Sequence, residues 1–126
     1  MAWIDYKKAY DIVPHSWILE TLKLTGVAQN IQRLLGAGMK NWRRTLMSNG
    51  QNLGNVNIRR GIFQGDSLSL LLFVACLIPL SVILRKTQGK YQLSKEGESI
   101  NHLLFMDDLK LYGSDERQID LSLIHI

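Results

Sequence analysis

The chain has 126 residues, 46% of them apolar and 21% charged, with a net charge of +4 and a pI near 9.4. That length holds at most one domain, and the apolar share excludes a disordered chain. The lone cysteine, Cys76, excludes an internal disulfide and reads as a small buried hydrophobe in a reducing compartment. No zinc-type Cys/His spacing occurs, and no signal peptide is expected ahead of Asp5.

Met1–Tyr6 reads as a strand with Trp3 and Asp5 on one face, since side chains alternate along a strand. Lys7, Lys8 and Asp11 read as solvent-facing. Pro14 breaks the chain, and Ser16 is placed to cap a helix running to about Lys23, with Trp17, Ile18, Leu19 and Leu22 inward. Gly26 stops that helix. A second helix is expected from Ala28 to Gly36, ended by Gly36 and Gly38, with Ile31, Leu34 and Leu35 inward. Trp42–Met47 and Val56–Arg60 read as strands flanking Ser48-Asn49-Gly50, where Asn-Gly is a strong hairpin signal. The gap to Val56 leaves the register open.

Charge is segregated. From Thr21 to Gly65 there is no Asp or Glu, while Lys23, Arg33, Lys40, Arg43, Arg44, Arg59 and Arg60 all fall there. The bland reading is a solvated basic face; the sharper one is a track for nucleic-acid phosphates. Trp17 and Trp42 suit stacking on bases but fit a core better.

A Gln64-Gly65-Asp66 loop then opens an apolar segment, with Asp66 or Ser67 placed as N-cap. Leu68–Leu84 is long enough to raise the question of a membrane span. Its serines and mid-run Pro79 favour a buried central helix instead, and no membrane association is expected. Lys90–Leu93 reads as a short strand and Lys95–Glu98 as a turn. Ile100–Phe105 and Leu109–Gly113 form a hairpin whose turn carries Asp107 and Asp108. His102 beside it reads as structural. Ser114-Asp115-Glu116 opens a last helix.

Two carboxylates about 4 Å apart at an effective dielectric near 20 repel by about 4 kcal/mol. A third acid converging there calls for a cation. Three signals in one order supply a candidate: the strand acid Asp5 followed by Lys7-Lys8-Ala9-Tyr10-Asp11, the Gln64-Gly65-Asp66 loop entering an apolar helix, and Asp107-Asp108 on a hairpin turn. Together they resemble the palm of a reverse transcriptase, most closely of the non-LTR, LINE-like retrotransposon type. The likeness runs to about Asp120.

The resemblance implies an α+β fold, with a palm-type antiparallel sheet backed by helices, over residues 1–120. It implies RNA-directed DNA polymerase activity by two-metal phosphoryl transfer, with two Mg²⁺ ions, or Mn²⁺ in their place. Asp5 and Asp107 would be the main metal ligands, Asp108 the supporting acid, and Tyr6 a further ligand through its backbone carbonyl. Tyr10 matches the bulky position beneath the nucleotide sugar, which favours deoxynucleotides. Gln64 and Gly65, with Tyr6 and Tyr10, would shape the nucleotide pocket. Arg43, Arg44, Arg59 and Arg60 are the candidate nucleic-acid contacts. The implied partners are an RNA template, a DNA primer, deoxynucleoside triphosphates, and the fingers and thumb of a parent polyprotein, which this chain lacks. The implied location is intracellular, in cytoplasm and nucleus.

Leu70 departs from the family pattern, which usually has Pro there at the helix start. Leu121–Ile126 can be encoded by a transposon end used in sequencing libraries, so residues 121–126 are read as a non-native read-through tail. Without its companion domains the chain is expected to extend no primer by itself. The rival readings are a non-catalytic nucleic-acid-binding fragment and a decayed retroelement relic.

Overall fold

A computed structural model describes residues 1–65, 67–87, 89–94 and 97–123. The fold is α+β, with helices and antiparallel sheets. The chain divides into two compact units, Tyr10–Cys76 on one side and Met1–Ala9 with Leu77–Ile126 on the other.

The second of these units is built on a three-stranded antiparallel sheet. Strand β1 (Ala2–Asp5) pairs with β7 (Asp108–Leu111), which pairs in turn with β6 (His102–Phe105). Alternation sorts the sheet into two faces. Ala2, Ile4, Leu104, Leu109 and Leu111 gather on one face with Tyr6 against Leu80 and Leu84. Leu84, Leu109 and Leu111 are almost wholly buried. Trp3, Asp5, Leu103, Phe105 and Asp108 are exposed on the other face.

Leu80 and Leu84 belong to α4 (Ser67–Lys86), which runs unbroken through Pro79. The expectation of a buried central helix needs correcting. Ser69, Leu72, Phe73, Cys76 and Leu84 are buried, but Leu71, Val74, Ile78, Val82 and Ile83 are exposed. By length and composition α4 could cross a membrane, a test that core helices of soluble proteins also pass. Ser67 lies inside the helix rather than capping it, and Asp66 lies outside the described residues.

A polar network ties β6 to α4. His102 Nε2 lies 2.7 Å from Ser81 Oγ, and His102 Nδ1 lies 2.7 Å from Asn101 Oδ1. The Asn101 amide donates to the Leu84 carbonyl and to Thr87 Oγ1. Asn101 Oδ1 can only accept, so Nδ1 carries the imidazole proton and Nε2 accepts from the serine. Asn101 is buried and interrupts the strand expected over 100–105. The outcome is two strands, β5 (Ser99–Ile100), which pairs with β4 (Tyr91–Gln92), and β6. The expected turn at 95–98 falls partly on Lys95 and Glu96, outside the described residues. Helix α5 (Glu116–Leu123) begins at a cap in which the Gln118 backbone N–H donates to Asp115 Oδ1 at 2.9 Å. It reaches into the segment read as a tail, of which Ile124–Ile126 lie outside the described residues.

In the Tyr10–Cys76 unit, α2 (His15–Leu24) starts at Pro14, which occupies the N-cap in place of the expected Ser16. Its end at Gly26 (φ 75°) is a Schellman motif, with Gly26 N–H donating to Lys23 O and Val27 N–H to Leu22 O. Helix α3 (Gln29–Lys40) continues through Gly36 and Gly38, against the expectation that they end it. A Cβ at Gly36 would lie 3.5 Å from a Leu19 methyl, so a small residue suits the contact between these helices. Ile31 and Leu34, expected inward, are exposed; Met39 is the buried apolar residue instead. A short helix, α1 (Ala9–Ile12), precedes them. The core here is Val13, Ile18, Thr21, Leu22, Met39, Ile62, Leu72, Phe73 and Cys76.

Burial, and secondarily the Arg85 charge, lowers the His102 pKa below its usual value. A histidine that is harder to protonate in the folded state favours unfolding once the unfolded chain takes up protons. Stability is therefore expected to fall as pH drops below about 6.5 and to level off below the lowered folded value. Urea melts across this range should show that slope in the unaltered chain and a flatter one in His102→Gln.

Candidate functional site

The turn between β6 and β7 is two residues long, Met106 and Asp107. Met106 adopts φ 53°, the left-handed conformation that such a tight hairpin asks of its first turn residue. Asp107 is therefore a turn residue, half-buried, and Asp108 is the first residue of β7, exposed. Asp108 sits directly opposite Asp5 on β1 and opposite Phe105 on β6.

Residues directly opposite in an antiparallel pair point to the same face, with Cβ atoms about 4.5–5.5 Å apart. The register therefore sets the Asp5 and Asp108 carboxylates side by side on the exposed face of the sheet, with Asp107 one residue away in the turn. The expectation of three converging acids is met only by this pair. Among the described residues, no three His, Cys, Asp or Glu side chains gather closely enough to hold a metal ion. Because the pair faces solvent, its repulsion is nearer the 1 kcal/mol of two charges about 4 Å apart in water than the larger interior value.

Among the described residues no cation lies within ion-pair distance of the pair. Among the described residues the ion pair within 4 Å is Lys23–Glu20, far away in sequence on α2. Lys110 shares the exposed face, but its ammonium lies over the Trp3 ring at 4.4 Å from the centroid, and 5.3 Å from that of Tyr112. The Tyr6 ring packs on the Leu84–Leu109–Leu111 core, and burial raises its pKa. Any part Tyr6 plays at a site thus falls to its backbone. Hard oxygen donors without a counter-charge fit a divalent cation that completes its shell with water and phosphate oxygens, as Mg²⁺ does.

The other candidate residues lie in the Tyr10–Cys76 unit. The Tyr10 ring is stacked on Phe73, with centroids 4.3 Å apart and planes at 19°. Gln64 and Gly65 form an exposed turn just before α4, with Gly65 at φ 102°. The basic hairpin is β2 (Arg43–Ser48) and β3 (Gln51–Asn57), joined by Asn49-Gly50, both at positive φ. The second strand thus begins at once after the turn, earlier than expected, and a bulge interrupts the register beside Leu46 and Met47. Arg43 and Arg44 alternate on opposite faces of β2, while Arg59 and Arg60 follow β3; all four are exposed. Trp42 packs against Phe63 and His15, which favours the core reading of that ring over base stacking.

Arg44 and Arg60 line one cavity of about 480 Å³ together with Asp11, Ile58, Gly61, Ile62, Phe63 and Gln64. Asp11 is a member that sequence reasoning left as merely solvent-facing. The signal for it is non-local. Residues 60–62 run back along 10–14, with Gly61 N–H donating to Val13 O and Ile62 N–H to Tyr10 O, both at 2.8 Å. At φ 92°, Gly61 comes so close that a Cβ would lie 3.0 Å from the Asp11 carbonyl oxygen.

The family model for reverse transcriptase (RNA-dependent DNA polymerase) matches residues 1–126. The chain belongs to the reverse transcriptase family. It is 35% identical over 114 residues to a Retrovirus-related Pol polyprotein from type-1 retrotransposable element R2 of Popillia japonica, covering 90% of this chain and 16% of that protein. A polyprotein of the same description from Nasonia vitripennis is 30% identical over 127 residues, covering all of this chain and 12% of its own length. An uncharacterized mitochondrial protein of Arabidopsis thaliana is 38% identical over 79 residues, covering 59% of this chain and 65% of its own. The chain thus spans less than a fifth of the length of the polyproteins it matches. These matches bear out the resemblance to a non-LTR retrotransposon reverse transcriptase.

Like charges directly opposite in a sheet destabilise it by roughly 0.2–1 kcal/mol. In metal-free buffer Asp108→Asn is therefore expected to stabilise the chain by a few tenths of a kcal/mol or more. Denaturant melts with and without a chelator check this, and a loss of stability would contradict the pairing.

Proposed function

We propose that this chain is a palm segment of an RNA-directed DNA polymerase, whose parent protein extends a DNA primer along an RNA template with deoxynucleoside triphosphates. The observation that carries the reading is the register that faces Asp5 and Asp108 the same way on an exposed sheet face, with Asp107 in the adjoining turn. The family of the chain supports it, as does the absence of a neutralising cation beside the pair among the described residues.

On this reading Asp5 and Asp107 are the main metal ligands, Asp108 is the supporting acid, and the Tyr6 carbonyl adds an oxygen. Two Mg²⁺ ions, or Mn²⁺, would activate the primer hydroxyl and stabilise the pyrophosphate leaving group. The chain itself contributes fixed geometry. β7 is held between β1 and β6, and its opposite face is anchored on Leu84, so the carboxylates are offered from a braced strand. Tyr10 acts as the bulky residue beneath the sugar, held against rotation by its stack on Phe73. Gln64 and Gly65 line the nucleotide pocket, and Arg43, Arg44, Arg59 and Arg60 meet nucleic-acid phosphates.

A second reading, a nucleic-acid-binding segment without metal chemistry, draws on the lack of a closed three-acid cage among the described residues. Divalent binding separates the two. A ligand that binds only the folded chain at ten times its Kd adds about 1.4 kcal/mol. For a chain of this size that raises Tm by a few degrees. Mg²⁺ or Mn²⁺ is expected to give such a rise in the unaltered chain and none in Asp5→Asn or Asp107→Asn. An equal rise in those variants would favour the second reading.

A further inference from the structure

We infer that Trp3 and Tyr112 are positioning residues: their rings hold the Lys110 ammonium away from the Asp5–Asp108 pair and so leave that pair free for a divalent cation. The inference rests on the polymerase reading for the metal. It adds how the chain restrains a cation of its own that would compete for the same two acids.

The register puts that competitor within reach. Lys110 is the one lysine or arginine in the three strands β1, β6 and β7. It lies two residues beyond Asp108 on β7, so both side chains leave the same face about 7 Å apart. Asp5 lies diagonally across on β1, a separation that long side chains span. An ammonium there would be drawn to two negative charges. Yet among the described residues neither acid has a cation within 4 Å. The ammonium lies over the indole of Trp3, 4.4 Å from its centroid, and 5.3 Å from that of Tyr112.

The two rings form a holder rather than a chance contact. Trp3 stands directly opposite Lys110, so ring and lysine stem rise from adjacent points on one face. Tyr112 is itself braced: its backbone N–H donates to the Asn101 carbonyl at 2.8 Å, and its ring lies beside that of Tyr91, with centroids 6.3 Å apart. Trp3, the largest side chain of the sheet, is 66% exposed and takes no part in the packed face, while Lys110 is half-buried. The indole thus shelters the lysine instead of the core.

The attractions on the ammonium are of similar size. A cation over an exposed aromatic face and an exposed lysine–carboxylate pair each contribute little alone. Two rings on one ammonium are enough to decide where it rests. Removing the indole, the better ring, releases it toward the acids, where a divalent cation must displace it.

The test is Mn²⁺ titration of the full 126-residue chain at low ionic strength, with free Mn²⁺ read by electron paramagnetic resonance. Trp3→Leu is expected to weaken Mn²⁺ binding about threefold or more, the scale of one exposed ion pair. Trp3→Leu with Lys110→Met removes the released cation, and this coupled pair is expected to return to within about twofold of the unaltered chain. Trp3→Phe keeps a weaker ring and is expected to fall between. Proton NMR reads the holder without metal. The Lys110 ε-methylene signals are expected upfield in the unaltered chain, shifted by the ring currents, and near their ordinary position in Trp3→Leu. A thermal melt of each variant confirms folding.

Mn²⁺ binding by Trp3→Leu equal to that of the unaltered chain would overturn the inference. So would a loss that Lys110→Met fails to restore, since Trp3 would then act through the sheet and not through the lysine. Unshifted lysine signals in the unaltered chain would overturn the holder itself. Each of these leaves metal binding, and with it the polymerase reading, intact. No Mn²⁺ binding by the unaltered chain would instead overturn that reading and this inference together.

Discussion

The cross-strand pairing of Asp5 with Asp108 is the constraint on which the candidate chemistry depends. An antiparallel register is discrete. A slip of β1 by one residue would turn Asp5 to the packed face and bring Ile4 out. Burying a carboxylate there without a partner would cost several kcal/mol, and the Ile4 contacts would be lost as well. Packing of Ile4, Leu109 and Leu111 against Leu84 thus fixes where the acids point. The apolar face and the acidic face are one decision made by the sheet.

That decision also explains why the acids tolerate one another. Their face is exposed, so water screens them, and the stability drawn from the opposite face exceeds the small repulsion. The arrangement is a standing charge imbalance held by unrelated hydrophobic contacts. Met106 adds a local contribution of the same kind. A non-glycine residue at φ 53° costs of order 1–3 kcal/mol, and it is held there by the two strands that close around it.

The acidic hairpin was legible because its signals are local: an apolar run, two acids, then strict alternation. Trp3 and Asp5 sharing a face was legible for the same reason. Which residue Asp5 would face was not, because that pairing spans almost the whole chain and leaves no mark in either strand. The errors follow a pattern. Gly36 and Gly38 look like helix ends, since each glycine costs roughly 1 kcal/mol in a helix interior. The helix runs through both all the same: Gly36 lies against Leu19 at ordinary contact distance, and Gly38 has open space beside it. Asn52, Gly54 and Asn55 look like loop, yet Asn49-Gly50 sets a two-residue turn that commits them to β3, with a bulge absorbing the mismatch. Asn101 reads as a strand residue until its side chain is seen to bond the Leu84 carbonyl. Local propensity failed wherever a distant partner decided the outcome.

The segregation of charge in the sequence survives into the fold as two separate electrostatic jobs. The carboxylates lie among the residues of one compact unit, and the arginine-lined cavity lies wholly within the other. The acids attract cations and repel phosphate; the arginines do the reverse. On one short surface patch the two sets would pair with each other and cancel. Among the described residues none of these charges is quenched by an ion pair, so each set is open to an outside ligand. On the proposed reading the acids would hold metal where a phosphate reacts, and the arginines would be fixed cations where a phosphate is only held. That division is written into where the residues fall along the chain, before any of them chooses a contact.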